Sequence, residues 1–386
     1  MSSVAVKHPN GKLARLDGVD ALRALAIFFV LMNHVNMRLL IAKVPYTNGL
    51  PEQLVSSLVW NGQPGVQIFF AVSGFLITSM SLRRWGSLSG ISLRGFYLMR
   101  FARIAPLLIA LLATLSLLHF LHLHDFVVSS KTGGLGRALL AALTFHVNVL
   151  EARRGYLPGN WDILWSLSVE EMFYLFFPVM SRLFGRGKLF VAILLVFVLL
   201  GPFARVVFPH GNEVWREYSY LGGMDAIALG CLTALLVSRI HFSRVMLWSL
   251  GSIGIALLSL VLCFSNQVER LRLTQFGVDM TLLAVGTCLV IAVVAQTNWQ
   301  TPRALSPFLN LGRRSYEIYL THMFVVFAMF HLFVWAGKPL GGVAALFLSV
   351  IVISALCGEL IARFISEPMN QWIRVRWKAS RGESTP

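Results

Sequence analysis

Two ionisable residues, Arg23 and His34, stand in the first long apolar stretch of the chain. They are eleven residues apart, about three helical turns, so they share one helix face with about 16 Å of rise between them. Near mid-span His34 has no water to reach, and its neutral imidazole could act as a general base or as a helix-bridging hydrogen-bonded group. Arg23 is either a functional cation or an arginine that snorkels to the membrane surface, and it could pair with Asp20.

Two arginines and two carboxylates follow at positions where charge is also costly. In FYLMRFARIAP, Arg100 and Arg103 are three residues apart on one helix face. Two guanidinium groups there would hold phosphates or, alternatively, would only orient the helix in the membrane. In WSLSVEEMFYLFFP, Glu170 and Glu171 project about 100° apart, so one can face a cavity while the other caps a helix or pairs elsewhere.

Hydroxyl groups and a second histidine complete the set of candidates. Ser73 lies in GVQIFFAVSGF, where glycine and serine are also typical of closely packed membrane helices. In LGRRSYEIYLTHMF, polar residues recur at steps of three or four and could line a polar seam: Ser315, Tyr316, Tyr319 and His322. For His322, a packing role explains the position as well as a substrate contact does.

A bundle of transmembrane helices must position these residues. Only 13% of the 386 residues are charged, against about 25% in soluble domains, and 56% are apolar, which excludes a cytosolic globular enzyme. We expect the lone acids Asp225 and Glu359 to form helix-to-helix hydrogen bonds. Windows of about 20 residues predict ten spans, near 21–40, 64–80, 104–122, 164–181, 189–208, 221–238, 245–264, 276–295, 315–336 and 341–362.

The loops between these spans alternate in their content of Lys and Arg, which predicts that both termini face the cytoplasm. Residues 137–150 are too few to cross a bilayer and are predicted to form a short re-entrant or interfacial segment. The predicted fold is therefore an all-α integral membrane protein with a cytoplasmic N-terminal segment 1–15, a membrane domain 16–368 and a cytoplasmic tail 369–386.

Charge and cysteine content exclude other classes. The net charge of +16 comes from arginines at the ends of apolar runs, so it does not indicate nucleic-acid binding. All the cysteines lie in apolar runs without CxxC spacing, which predicts neither a disulfide framework nor a metal site: Cys231, Cys263, Cys288 and Cys357. We expect no metal and no bound cofactor.

Taken in order, six blocks of the sequence resemble the acyltransferase 3 family of integral-membrane O-acyltransferases. The resemblance runs from about Leu16 to Pro368, nearly the whole chain. Any one block is a weak signal, whereas the six in this order are specific. The blocks are LDGVDALRALAIFFVLMNHV, GVQIFFAVSGFLIT, RFARIAP, WSLSVEEMFYLFFP, GMDAIALGCLTA and LGRRSYEIYLTHMF.

The resemblance implies a ten-helix protein that takes an acyl group, usually acetyl, from acyl-CoA as co-substrate on the cytoplasmic side. It implies that the acyl group passes to a hydroxyl of a glycan or glycoside. By position, His34 and Arg23 match the family's essential first-helix His and Arg, and Arg100 and Arg103 match its RxxR motif.

The chemistry of the residues agrees with these implications. His34 would deprotonate the acceptor hydroxyl, and Glu170 would orient its imidazole, so these two form the predicted catalytic pair. Direct transfer is favoured over a covalent acyl-enzyme, with Ser73 as the nucleophile if such an intermediate forms. The residues predicted to bind the acyl donor or substrate are Arg23, Arg100, Arg103, Glu171, Ser73, Tyr316 and His322.

The expected partners are acyl-CoA, a glycan or glycoside acceptor and the lipid bilayer of a bacterial inner membrane. The acceptor is either a cell-surface or exported glycan or a small secreted glycoside such as a macrolide sugar. The chain resembles family members without a fused extracytoplasmic hydrolase-like domain. We therefore expect it either to acylate its acceptor directly or to pass the acyl group to an extracytoplasmic transfer partner. A transporter or flippase without acyl transfer is the alternative from another class, but it would leave Arg100 and Arg103 without a clear ligand.

Overall fold

The computed structural model describes residues 16–207, 212–297 and 299–379, in which helices are the regular structure and no strand occurs. In chain order the α-helices are α1 Asp17–Ile41, α2 Glu52–Val59, α3 Gly62–Trp85, α4 Leu93–Phe120, α5 Gly134–Leu143, α6 Val147–Arg154, α7 Gly159–Asp162, α8 Leu164–Phe184, α9 Lys188–Val207, α10 Glu213–Tyr218, α11 Tyr220–Val237, α12 Arg244–Cys263, α13 Ser265–Arg270, α14 Asp279–Thr297, α15 Ser306–Arg313, α16 Ser315–Trp335, α17 Val343–Ile361 and α18 Glu367–Ala379.

Ten helical segments of the described residues are long and apolar enough to cross a membrane. They correspond to the ten predicted spans, so the prediction of an all-α multi-pass membrane bundle is confirmed. The predicted N-terminal segment 1–15 and the last residues of the tail, 380–386, lie outside the described residues. The cytoplasmic location of the termini stays a prediction. We call the end of the bundle where α1 begins the basic end and the opposite end the far end.

Two spans are longer than the hydropathy windows predicted. Helix α4 begins at Leu93, well before the predicted span 104–122, and the Ser92 hydroxyl caps it by accepting a hydrogen bond from the Gly95 amide at 3.2 Å. The helix can continue past the hydrocarbon because its arginines remain hydrated there. The last span continues through the π-turn Ala362–Ser366 into α18, so part of the predicted tail is helical. A π-turn widens the helix just before Pro368, whose ring would clash with the preceding turn of a regular helix.

The predicted segment 137–150 is divided into two pieces. Helix α5 ends at Leu143 and α6 begins at Val147, and between them Phe145 has a positive φ of 57°. A non-glycine residue in this left-handed region interrupts a helix. The segment is therefore a pair of short helices rather than one continuous element.

The centre of the bundle depends on close contacts between α1, α3 and α11. A Cβ atom on Gly74 of α3 would lie 2.0 Å from the carbonyl oxygen of Ile227, and one on Gly230 of α11 would lie 2.0 Å from that of Ala71. Glycine at a helix crossing lets two backbones approach closely, which increases van der Waals contact where the hydrophobic effect gives no attraction.

A buried ion pair joins four helices beside this crossing. The carboxylate of Asp225 on α11 is fully buried, and each of its oxygens accepts a hydrogen bond from Arg205 Nη2 of α9 at 2.8 Å. Gln67 of α3 and Thr281 of α14 donate to the same carboxylate, at 2.9 and 2.5 Å.

A second acid inside a span, Glu359 of α17, accepts a hydrogen bond at 2.7 Å from Arg314, which lies between α15 and α16. The prediction that these acids bond between helices is confirmed.

We expect Gly74→Ala to lower the free energy of unfolding by about 1–3 kcal/mol, because α3 and α11 must move apart to accept the methyl group. Thermal unfolding of the purified protein in detergent measures the change. Gly136→Ala is the matched control, since nothing lies within 4 Å of a Cβ built on exposed Gly136 of α5. The control should unfold at the wild-type temperature or above it. Equal stability of the two variants would contradict the close crossing.

Candidate functional site

An internal cavity lies in the basic half of the bundle between α1, α3, α4, α8 and α16. The space between its walls is about 870 Å³, its open mouth included. We call it the arginine cavity. Seven of the nine predicted site residues line it: Arg23, Ser73, Arg100, Arg103, Glu170, Glu171 and Tyr316. The structure therefore brings together residues from five helices that are far apart in the sequence.

Three arginines give the arginine cavity its positive charge. Arg23 comes from α1, and Arg100 and Arg103 come from successive turns of α4. Arg23 lies 3.9 Å from Asp20, the predicted partner, but Arg313 binds Asp20 more closely, at 3.1 Å. Grouped guanidinium groups of this kind bind phosphates through paired N–H donors.

Both adjacent glutamates line the same cavity. Glu171 Oε1 is buried without a hydrogen-bond partner among the described residues. Glu170 Oε1 accepts hydrogen bonds from the Ser73 hydroxyl, at 2.5 Å, and from the Tyr174 hydroxyl. The guanidinium carbon of Arg100 lies 3.6 Å from the centre of the Tyr174 ring. Glu170 is thus part of a network on the cavity wall.

The predicted contact between Glu170 and His34 is not present in the described structure. Glu170 lies near Arg23 on the wall of the arginine cavity, whereas His34 is eleven residues further along α1 and does not line that cavity. The sequence placed both residues inside spans, but it did not reveal their relative depth.

His34 instead lies beside His322 of α16, with 5.0 Å between the ring centres. His322 is fully buried, and its Nδ1 lies 2.7 Å from the carbonyl oxygen of Tyr319. When Nδ1 donates this hydrogen bond, neutral His322 carries a lone pair on Nε2. No described residue hydrogen-bonds to Nε2, so this nitrogen is free to accept a proton or a hydrogen bond.

Tyr319 and Ser166 connect the histidines with the arginine cavity. Both line the cavity, and their hydroxyl oxygens are 2.6 Å apart. The Tyr319 ring centre is 5.8 Å from that of His322. Sequence reasoning placed Tyr319 on the polar seam but missed Ser166, because its partner comes from a helix far away in the sequence.

A second opening, the far cleft, lies one helical turn beyond His34. It is lined by Arg38, His124, Asp125, Val127, Ser129, Thr132, Tyr156, Leu157, Pro158, Gly159 and Phe327. Sequence reasoning did not identify it, because residues of α1 and α16 meet two connecting segments there. Along α1 the order is therefore Arg23 at the arginine cavity, His34 at the histidine pair and Arg38 at the far cleft.

A buried carboxylate supports the wall of the far cleft. Glu151 of α6 is fully buried, and its Oε1 accepts a hydrogen bond from the Leu157 amide at 3.0 Å. Burial raises the pKa of the Glu151 carboxyl well above its usual range, and the charge of nearby Asp162 adds to this effect.

Comparison with known proteins identifies the family of this chain. The family model for the acyltransferase domain, acyltransferase 3, matches residues 16–359. The chain belongs to this family. The acyltransferase 3 domain therefore includes the arginine cavity, the histidine pair and the far cleft.

Several relatives of this acyltransferase 3 chain are staphylococcal proteins. O-acetyltransferase OatA of Staphylococcus aureus strain NCTC 8325 is 24% identical over 382 residues, which cover 92% of this chain and 57% of OatA. Another chain, from S. aureus strain COL and also with an O-acetyltransferase name, is 26% identical over 384 residues, or 93% of this chain and 58% of its own length. The chain thus spans less than two thirds of these relatives. No solved structure shows significant similarity to it.

We expect Glu151→Gln to raise the unfolding temperature in mildly alkaline buffer and to leave it unchanged in acid buffer. The pKa of Glu151 is higher in the folded than in the unfolded chain, so the contribution of its protonated carboxyl to folding stability is complete at acid pH. That contribution is lost as the pH rises through the pKa of Glu151 in the folded chain. Glutamine does not ionise and avoids this loss. Thermal unfolding at both pH values, with exposed Glu52→Gln as control, measures the difference. A pH-independent effect would contradict burial of an ionisable Glu151.

Proposed function

We propose that the acyltransferase 3 domain transfers an acyl group, acetyl in the first instance, from cytoplasmic acyl-CoA to a hydroxyl of a cell-surface or exported glycan. One observation carries the proposal: Tyr319 lines a cavity with three arginines, and its ring lies beside a pair of adjacent histidines, His34 and His322. Phosphate recognition and general-base catalysis are the two functions that transfer from acyl-CoA requires. The O-acetyltransferase names of the relatives favour acetyl as the group and oxygen as its acceptor atom.

The donor would bind with its nucleotide phosphates at Arg23, Arg100 and Arg103. The long pantetheine arm of coenzyme A separates those phosphates from the thioester, and Arg23 and His34 are separated by about 16 Å of rise along α1. An arm extended past Tyr319 would therefore bring the thioester to the histidine pair. This arrangement places the charged part of the donor at the basic end and the reacting carbon near His34.

His34 would act as the general base in a direct transfer. It removes the proton of the acceptor hydroxyl while the hydroxyl oxygen attacks the thioester carbon. The new C–O bond forms, the C–S bond breaks, and the proton on His34 neutralises the departing thiolate. His322, beside His34, would help to hold the imidazole and accept a hydrogen bond through Nε2. Ser73 is bonded to Glu170 near Arg23, where the donor phosphates are proposed to lie, which favours direct transfer over an acyl-Ser73 intermediate.

The central test follows free thiol release by the purified full chain in lipid, with acyl-CoA donors of several lengths and with extracted envelope glycans. We expect thiol release to require the glycan and to fall about 10²–10⁴-fold in His34→Ala, because general-base catalysis contributes about that factor. Transfer is confirmed by radiolabel from the acyl group in the glycan fraction.

The matched control is His241→Ala, which removes an exposed histidine outside both cavities. It should retain the wild-type rate. Wild-type protein that binds no acyl-CoA and releases no thiol under any condition would refute the transferase proposal. Glycan movement across the membrane without consumption of acyl-CoA would favour a transporter or flippase instead.

Arg103→Gln tests the position of the donor phosphates. We expect this change to weaken binding of acetyl-CoA about tenfold or more, because a charge-assisted contact is lost. Binding of S-acetyl-pantetheine, which lacks the nucleotide phosphates, should be unchanged. Equilibrium binding of both ligands to the protein in lipid nanodiscs gives the comparison.

The control for this experiment is Arg94→Gln, which neutralises an exposed arginine of the same helix outside the arginine cavity. It should bind both ligands as the wild type does. If Arg103→Gln weakened the two ligands equally, or neither of them, Arg103 would not contact the phosphates.

A further inference from the structure

Arg38, near the far end of α1, has no carboxylate of the described residues bound to it, in contrast to Arg205 and Arg314. Arg205 and Arg314 both form close ion pairs with acids, Asp225 and Glu359. Arg38 is half-buried, and its Nε is fully buried without a hydrogen-bond partner. Throughout the described ranges no acid comes within 4.0 Å of its guanidinium nitrogens. A partly buried cation that no protein carboxylate neutralises favours binding of an anion.

The two acids closest to Arg38 are bound to other groups. Asp125 and Asp162 both act on Arg38 through their charge, but from beyond ion-pair distance. Asp125 lies 2.5 Å from His331 Nε2, and Asp162 accepts a hydrogen bond from Tyr218 at 3.4 Å. They partly offset the charge of Arg38 without occupying its donors. The central carbon of the Arg38 guanidinium lies over the Phe327 ring, 4.8 Å from the ring centre.

Phe327 holds Arg38 in place at the mouth of the far cleft. Phe327 is buried, and the contact between its ring and the guanidinium is a cation–π interaction that favours this position of Arg38 beside the cleft. The cleft beside it also presents the hydroxyl groups of Ser129 and Thr132 and the exposed ring of Tyr156. An aromatic ring with hydroxyl and guanidinium donors around it suits a sugar that bears an acidic group.

The position of Arg38 connects this cleft to the proposed reaction. Arg38 follows His34 by four residues, so the two lie on the same side of α1 with about 6 Å of rise between them. That distance is comparable to the width of one sugar ring. A glycan bound at Arg38 would therefore place a hydroxyl of the same or the adjacent residue at His34.

We propose that the far cleft is the acceptor site and that Arg38 binds an anionic group, a carboxylate or a phosphate, of the acceptor glycan. This inference rests on the proposed function, because it supplies the acceptor for the transfer at His34. An anion would satisfy the buried Nε and compensate the charge, which a neutral hydroxyl would not do. The donor and the acceptor would then reach His34 from opposite ends of α1.

The test measures glycan binding and acyl transfer separately, with the full chain in lipid nanodiscs. The ligands are glycans extracted from the envelope of the producing cell in three forms: untreated, carboxyl-reduced and dephosphorylated. Equilibrium binding without donor gives the Kd, and transfer of radiolabelled acetyl from acetyl-CoA gives the KM for the glycan. The variants are Arg38→Gln, which removes the charge, and Arg38→Lys, which keeps the charge but removes the planar fork of donors.

We expect Arg38→Gln to raise the Kd and KM for untreated glycan about tenfold to a hundredfold, with a smaller rise in Arg38→Lys. Either carboxyl reduction or dephosphorylation should remove the difference between wild type and Arg38→Gln, and the effective treatment identifies the anion. Retained binding of acetyl-CoA shows that each variant is folded. Arg137→Gln, which removes an exposed far-end arginine outside the cleft, is the matched control and should behave as wild type.

The failures of the two proposals have different signatures. If Arg38→Gln binds untreated glycan as tightly as wild type, or if wild type binds all three forms equally, the acceptor-site inference is overturned while transfer at His34 can still stand. If wild type transfers no acetyl but its glycan binding depends on Arg38, the transferase proposal fails and the anion site remains.

Discussion

The cost of a charged group inside hydrocarbon constrains every part of this structure. Each ionisable side chain in a span must have a partner of opposite charge, a hydrogen-bond network or a polar cavity. Asp225 has the first of these, because Arg205 binds both its oxygens while Gln67 and Thr281 donate to them. Removal of either charge would leave the other buried without compensation, which is strongly destabilising. This cluster therefore holds four helices in a fixed arrangement and is a structural element.

The arginine cavity satisfies the same constraint in another way. Its arginines face a shared space with Glu170 and Glu171 instead of forming one-to-one ion pairs, so positive charge is in excess there. Such an arrangement is less stable than a closed network, but it leaves donors available to a phosphate. Arg205, which is fully paired, joins helices, whereas Arg103, which lines a cavity, has donors available to a ligand.

Close helix packing makes the long narrow site possible. Because Gly74 and Gly230 bring the backbones of α3 and α11 together, α11 supports α3, which packs directly against α1. Along α1 the arginine cavity, the histidine pair and the far cleft then follow in order, so two substrates of different polarity can approach one histidine from opposite directions. The proposed transfer from a cytoplasmic donor to an exported acceptor would use this separation, since neither substrate would have to cross the membrane.

The sequence by itself determined the class of fold, the ten spans and the charged residues around the arginine cavity. It could do so because apolar runs of membrane length and charges inside them are both visible in one dimension. Tertiary structure decided the depth at which those residues meet. Glu170 bonds to Ser73 and Tyr174 instead of His34, and His34 has His322 as its neighbour, because relative depth depends on helix tilt and stagger. No sequence motif indicated the far cleft, because it forms where two helices and two connecting segments converge.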